Sequence, residues 1–91
     1  NAFWNQGQVC IARTRLIAHK DVKTRLLERL LHKAEAFVPA DPMREDTTFG
    51  PLASSAQRAR VKTYVEKGMQ EGAEAVLKGA IQDSGGCYVA P

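Results

Sequence analysis

The chain has 91 residues, 44% hydrophobic and 25% charged, with a formal net charge of +3; these ordinary globular values exclude disordered, collagen-like and mucin-like classes. Its apolar stretches fall far short of the ~20 residues that cross a bilayer, and no basic-then-apolar leader opens it, so the expected location is the cytoplasm. Lys and Arg are spread along two amphipathic segments and the aromatics Phe3, Trp4, Phe37, Phe49, Tyr64 and Tyr88 are scattered, which reads as solvated helix surface and not as a nucleic-acid or membrane binder.

Asn1 to Ala12 mix aromatic, amide and glycine residues without a clean period and read as the end of a helix entering a turn around Gly7. Arg13 to His19, with Leu16, Ile17 and Ala18 between polar ends, reads as a short strand. From Asp21, its expected N-cap, an amphipathic helix carries Val22, Leu26, Leu27, Leu30, Leu31, Ala34 and Phe37 on one face. Pro39 restricts Val38 to extended conformations and ends that helix.

Pro39 to Ala53 holds three of the four prolines together with Asp41, Asp46 and Gly50, and reads as a loop of two or more turns. Ser54 and Gln57 stand at capping-box spacing and open a second helix, with Val61, Tyr64, Val65, Gly68, Met69 and Gly72 on one face. Gly68 on that face predicts close backbone packing against a neighbour, and Gly72 fits the left-handed position just past the helix end. Ala75 to Lys78 is expected as a strand, Gly79 to Gly86 as a turn-rich loop, and Tyr88 to Ala90 as another extended segment.

The order strand, helix, helix, strand, strand predicts an α/β fold with a parallel or mixed sheet, whose two faces normally need cover. Two helices cannot supply it. The chain also opens on Asn1 and not on Met, so the expectation is an interior slice of a larger domain spanning 1–91: part of a three-layer sheet with helices.

Two cysteines, Cys10 and Cys87, stand far apart with no His or Cys at ligand spacing, so no metal site is expected; they could form one disulfide, but in a cytosolic chain the expectation is two free thiols. A cysteine that attacks a carbonyl must be reachable, partly ionised and close to a donor for the oxyanion. Gly7, three residues before Cys10, allows a tight turn and close approach of a ligand. Asn5, Gln6 and Gln8 supply neutral amides that orient groups without adding charge. The spacing also suits a packed cysteine behaving as a small hydrophobe. His19 and His32 offer no triad or metal spacing, so a cysteine acyl transferase lacks its partner.

The run Phe3-Trp4-Asn5-Gln6-Gly7-Gln8-Val9-Cys10-Ile11-Ala12-Arg13-Thr14 resembles the cysteine active-site signature of the aldehyde dehydrogenase superfamily, and Phe49-Gly50-Pro51-Leu52 resembles its Gly-Pro-Leu turn. In wording the first run is similar to bacterial γ-glutamyl-γ-aminobutyraldehyde dehydrogenases. The resemblance implies that the Cys10 thiolate adds to an aldehyde, with the oxyanion of the thiohemiacetal held by the nucleophile's own N–H and an upstream Asn. It implies hydride transfer to NAD or NADP and hydrolysis of the resulting thioester by water that an upstream Glu activates. Asn5, Gly7 and Gln8 would be the supporting loop, with Trp4 and Val9 as apolar wall for an aldehyde, amino-aldehydes among the candidates.

Only nine residues precede Cys10, so the Glu and the oxyanion Asn have no place in this chain. The glycines form no dinucleotide-binding fingerprint, and the isolated stretch is expected to be inactive. The other reading is a non-catalytic structural or interaction piece that self-associates through an exposed sheet edge and apolar helix faces; the intact protein is expected to be oligomeric.

Overall fold

A computed structural model describes residues 2–77, 79 and 85–91 of the chain. A tight turn over Trp4–Gly7 is followed by two helices, α1 (Lys20–Ala34) and α2 (Ser55–Gln70).

The N-cap of α1 is His19, not Asp21: His19 has an extended backbone, and its ring Nδ1 accepts from the Asp21 N–H at 3.4 Å. Asp21 lies instead in the first turn, where a carboxylate favours the positive end of the helix dipole. The helix also ends at Ala34, three residues before Phe37. Phe37 N–H donates to the Ala34 carbonyl and Val38 N–H to that of Ala36, at 3.0 and 3.2 Å, a tighter turn than a helix makes. That unwinding sets the Phe37 ring between Phe3 and Phe49, each with its centroid 5.6 Å away, within the range where edge and tilted ring pairs attract.

Helix α2 starts where the cap spacing places it: Ser54 Oγ accepts from the Gln57 N–H at 3.1 Å. Its other end is closed by two reaching bonds, Ala73 N–H to Gly68 carbonyl (2.9 Å) and Gly72 N–H to Met69 carbonyl (3.1 Å). This paired pattern needs a left-handed residue, and Gly72 supplies it with φ of +95°. The packing expected at Gly68 takes another form. A Cβ there would meet only Ala73 Cβ, at 4.0 Å, so this glycine faces its own helix's end.

The expected sheet is not present among the described residues. Residues 12–19 carry no regular structure, nor do 75–77, and Val89 makes only an isolated bridge. Lys78, the end of the second expected strand, and residues 80–84 of the expected loop lie outside the described residues. A strand is stable only when its backbone groups pair with a neighbour. The described architecture is therefore helices and loop.

What core there is gathers between the C-terminal end of α1 and the 39–53 loop, where Ala34, Phe49 and Leu52 are buried. The loop is made of turns, as its prolines and aspartates predict. Ala40 N–H donates to the Phe49 carbonyl (2.9 Å) across its neck, and Asp41 Oδ1 accepts from Met43 N–H (2.9 Å). Arg44 grips Asp46 with two bonds, 2.9 and 2.7 Å, which holds the Asp46 carboxyl below its ordinary range and lifts the Arg44 guanidinium above its own.

Helices α1 and α2 do not pack on each other, and Val22 and Leu30 on one and Tyr64 and Val65 on the other remain exposed. The accessible surface is 7597 Å², against roughly 5,200 Å² expected of a self-contained monomer of this mass. The excess reflects how little apolar surface the two helices and the loop bury against one another.

Candidate active site

Cys10 is carried by two consecutive turns. In the first, Asn5, Gln6 and Gly7 all take left-handed backbone, with φ of 48°, 56° and 74°. For Asn5 and Gln6 this costs about 1 kcal/mol or more each, and Asn is the more tolerant of the two. Gly7 accepts the conformation freely, and a Cβ there would crowd the Ala2 carbonyl at 3.2 Å. Gln8 N–H closes the turn on the Asn5 carbonyl at 3.0 Å. The second turn, Ala12 N–H to Val9 carbonyl (3.0 Å), puts Cys10 and Ile11 at its corner. Cys10 is a free, exposed thiol, and its backbone N–H makes no hydrogen bond among the described residues.

Two side-chain amides tie these turns to the loop that carries the buried Phe49 and Leu52. Gln8 Oε1 accepts from the Ala53 N–H at 3.0 Å, across 45 positions of sequence. With the Gln6 amide turned so that both its ends are satisfied, its Oε1 accepts from Gly50 N–H (2.9 Å) and its Nε2 donates to the Asn5 side-chain and backbone oxygens, each 3.1 Å away. Between those points Leu52 N–H donates to the Cys87 carbonyl at 2.8 Å, and Pro51 has no N–H. Every backbone donor from Gly50 to Ala53 is thus engaged by a distant partner, while Phe49 and Leu52 on the same turn are buried.

The thiol faces an open hollow of about 560 Å³ lined by Trp4, Asn5, Gln6, Gln8, Val9, Cys10 and Thr48. A second hollow of about 320 Å³ adjoins it across Trp4 and Val9, with Ile11 and Ala12 as its other walls. Neither lining contains a charged residue, so polar recognition there rests on amides, a hydroxyl and backbone groups. An aldehyde carbon could reach Cys10 Sγ from this side, its carbonyl oxygen facing neutral donors.

The structure brings Cys10, Asn5 and Gln8 to one hollow, with Gly7 shaping the turn behind them and Trp4 and Val9 forming the apolar side. Cys87 stands apart, half-buried, its carbonyl committed to Leu52. His19 and His32 lie at the two ends of α1, away from the lining. Thr48 was not anticipated as part of the site, and Gln6 acts as a tie. The sequence signal for Thr48 is the adjacent Phe49-Gly50-Pro51-Leu52 run, while Gln6 is among the amides expected to orient groups. Among the described residues no three His, Cys, Asp or Glu side chains group as metal ligands, and no helix is long and apolar enough to cross a membrane.

A family model described as the aldehyde dehydrogenase family matches residues 1–91. Betaine aldehyde dehydrogenase of Rhizobium etli is 47% identical over 92 residues, covering 98% of this chain and 19% of that protein. The protein of the same name from Cereibacter sphaeroides is 39% identical over 89 residues, covering 98% and 18%. Among solved structures, a cysteine-to-alanine variant of aldehyde dehydrogenase C from Pseudomonas syringae, complexed with NAD+ and octanal, superposes with a TM-score of 0.90 at 34% identity, covering 99% of this chain and 19% of that one. The chain therefore spans about a fifth of the length of the proteins it matches.

Proposed function

The chain belongs to the aldehyde dehydrogenase family, and on that premise we propose that Cys10 is the nucleophile of an NAD(P)-dependent enzyme that oxidises an aldehyde to a carboxylic acid. The observation that carries this reading is the setting of Cys10: an exposed thiol at a turn corner, on an uncharged hollow, with a backbone N–H free of any partner among the described residues.

In the addition step the Cys10 thiolate attacks the carbonyl carbon. A C–S bond forms, the C=O π pair moves to oxygen, and the product is a thiohemiacetal anion. The Cys10 N–H is available to donate to that oxygen, and a backbone donor of this kind is worth about 3 kcal/mol in the transition state when it is prepositioned. Trp4 and Val9 supply the apolar side of the hollow. The Trp4 indole face would attract an ammonium group on the substrate, which supports amino-aldehydes as the substrate class. The betaine aldehyde relatives and the octanal-bound neighbour bracket that class from the cationic and alkyl sides.

The residues described here do not fit the dinucleotide. Helix α1 opens on His19-Lys20-Asp21 and α2 on Ser54-Ser55-Ala56, and neither is a strand-to-helix glycine turn of the kind that cradles a pyrophosphate. Residues 1–91 are therefore a slice of the catalytic domain, inactive by itself. The cofactor site, the water-activating Glu and the oxyanion Asn come from elsewhere in an oligomeric, cytoplasmic protein, a reducing compartment that keeps both thiols free. There residues 13–19 pair as a strand of the three-layer fold. The uncovered Leu16 and Ile17 support that placement, as does the close superposition on a complete enzyme.

The test is Cys10→Ala in the intact protein. NAD(P)-dependent oxidation of aminobutyraldehyde, betaine aldehyde and octanal should fall at least a thousandfold, and iodoacetamide should inactivate the parent protein by labelling Cys10 ahead of Cys87. Turnover that survives the substitution overturns the proposal.

A further inference from the structure

We propose that Gln8 is a positioning residue for Cys10, acting through the turn Gly50–Ala53 as a fixed platform; this rests on Cys10 being the nucleophile. The Cys10 loop has little of its own to hold it. Cys10 and Ile11 are exposed, and Asn5 and Gln6 sit in left-handed backbone that such residues hold only where surrounding structure over-determines it. Two side-chain amides supply the over-determination. Gln8 Oε1 takes the Ala53 N–H at 3.0 Å, and Gln6 Oε1 takes the Gly50 N–H at 2.9 Å. Both donors belong to a turn that is itself immobilised by burial of Phe49 and Leu52 and by the Leu52 bond to the Cys87 carbonyl.

Gln8 is two residues from Cys10, so a shift of its backbone moves the thiol almost directly. Gln6 is farther away and also serves its own turn through Asn5, so the direct constraint on the nucleophile is Gln8. Its amide does two things that a smaller residue could not do together. It reaches a donor across the loop, and it leaves the hollow uncharged beside a group that must ionise. A displacement of about 1 Å in a reacting group can cost on the order of a hundredfold in rate. The effect should therefore fall on the chemical step and spare substrate affinity.

The experiment uses the full-length enzyme with Gln8→Leu, which keeps the volume and removes the acceptor, and Gln8→Glu, which keeps the acceptor. Gln8→Leu should lower kcat roughly tenfold to a hundredfold, leave the aldehyde KM within threefold, and slow iodoacetamide labelling of Cys10. Gln8→Glu, compared on the alkaline plateau of its pH profile, should recover kcat to within about threefold of the parent. If Gln8→Leu fails to fold, Ala53→Pro removes the same hydrogen bond from the donor side and should reproduce the loss of kcat. Where all three variants fold, Gln8→Leu combined with Ala53→Pro should cost no more than either alone. A Gln8→Leu enzyme with parental kcat, or a Gln8→Glu enzyme no better than it, overturns the positioning role while an inactive Cys10→Ala leaves the nucleophile standing. An active Cys10→Ala removes both.

Discussion

The turns that carry Cys10 and the segment 12–19 that follows are neighbours in sequence, and neither contains a buried residue. They differ in what holds their backbone. The first is pinned, against local strain, by the Gln6 and Gln8 side-chain oxygens, which accept from the Gly50 and Ala53 N–H groups on either side of the buried Leu52, more than forty positions away. The second has the apolar content of a strand, with Ile17 92% exposed, and no ladder partner among the described residues. One is fixed by contacts within this stretch of chain; the other finds no such contacts among the described residues. Exposure alone therefore does not separate a functional loop from an unsatisfied one, whereas tracing where the backbone and amide donors go does.

The largest effect should come from the pinned side. Phe49→Ala in the whole protein removes the buried end ring of the Phe3–Phe37–Phe49 cluster beneath the platform and should cost about 3 to 5 kcal/mol, read from chemical denaturation. A cost under about 1 kcal/mol would mean that the platform draws its stability from elsewhere and that the two regions are less different than they look.

Ile17→Lys probes the other side. If segment 12–19 pairs and is covered in the complete protein, the change should cost about 2 to 3 kcal/mol. A change within about 0.5 kcal/mol would make the segment a true surface loop and would remove the strand from the proposed fold. In the isolated stretch, sedimentation gives the complementary measurement: self-association through these uncovered faces with Cys10 protected from alkylation would favour the interaction reading.

Smaller effects belong to the helix ends, which are alike in strength and serve as controls. Gly72→Ala places a Cβ on a left-handed residue and should cost about 1 kcal/mol. Ser54→Ala removes the α2 cap and should cost about 1 kcal/mol as well. Both are read as shifts in denaturation midpoint without loss of Cys10 labelling.

The smallest effect concerns the Arg44–Asp46 pair. Asp46 titrates below its ordinary range in the folded chain because of the Arg44 hydrogen bonds. Any stability it adds is therefore present above the ordinary carboxylate range and lost as the pH falls through the lowered folded value. Both side chains are largely exposed, and exposed pairs contribute little. Asp46→Asn should leave the acid limb of the stability curve almost unmoved, as followed by circular dichroism between pH 2 and 7.

The features legible in the sequence are those decided within a few residues. The Ser54 cap, the left-handed close at Gly72 and the turns of Pro39–Ala53 each depend on a donor or a φ angle that a single residue type supplies, and all three stand in the structure. His19 was missed as the α1 cap because a ring nitrogen two positions before Asp21 can take the same donor. The early end of α1 was missed because it is set by Phe37 meeting Phe3 and Phe49, a tertiary contact that no periodicity contains. The expected strands are not formed at 12–19 or 75–77, where the described residues offer no ladder partner. At the site, the signature pointed to Cys10 and its amides. The identity of their partners, Gly50 and Ala53, is a matter of distance in space.

The span from Gln8 to Ala53 also has a meaning in time. A hydrogen bond across 45 positions closes a long loop, and contacts of that kind form only after the intervening elements have ordered. At synthesis rates of about 5 to 20 residues per second, Gln8 is made roughly 2 to 9 s before the residue that holds it. During that interval the thiol is present on a chain that has not yet set it in place. Reactivity would then arrive late in folding, once the chain that surrounds the thiol exists.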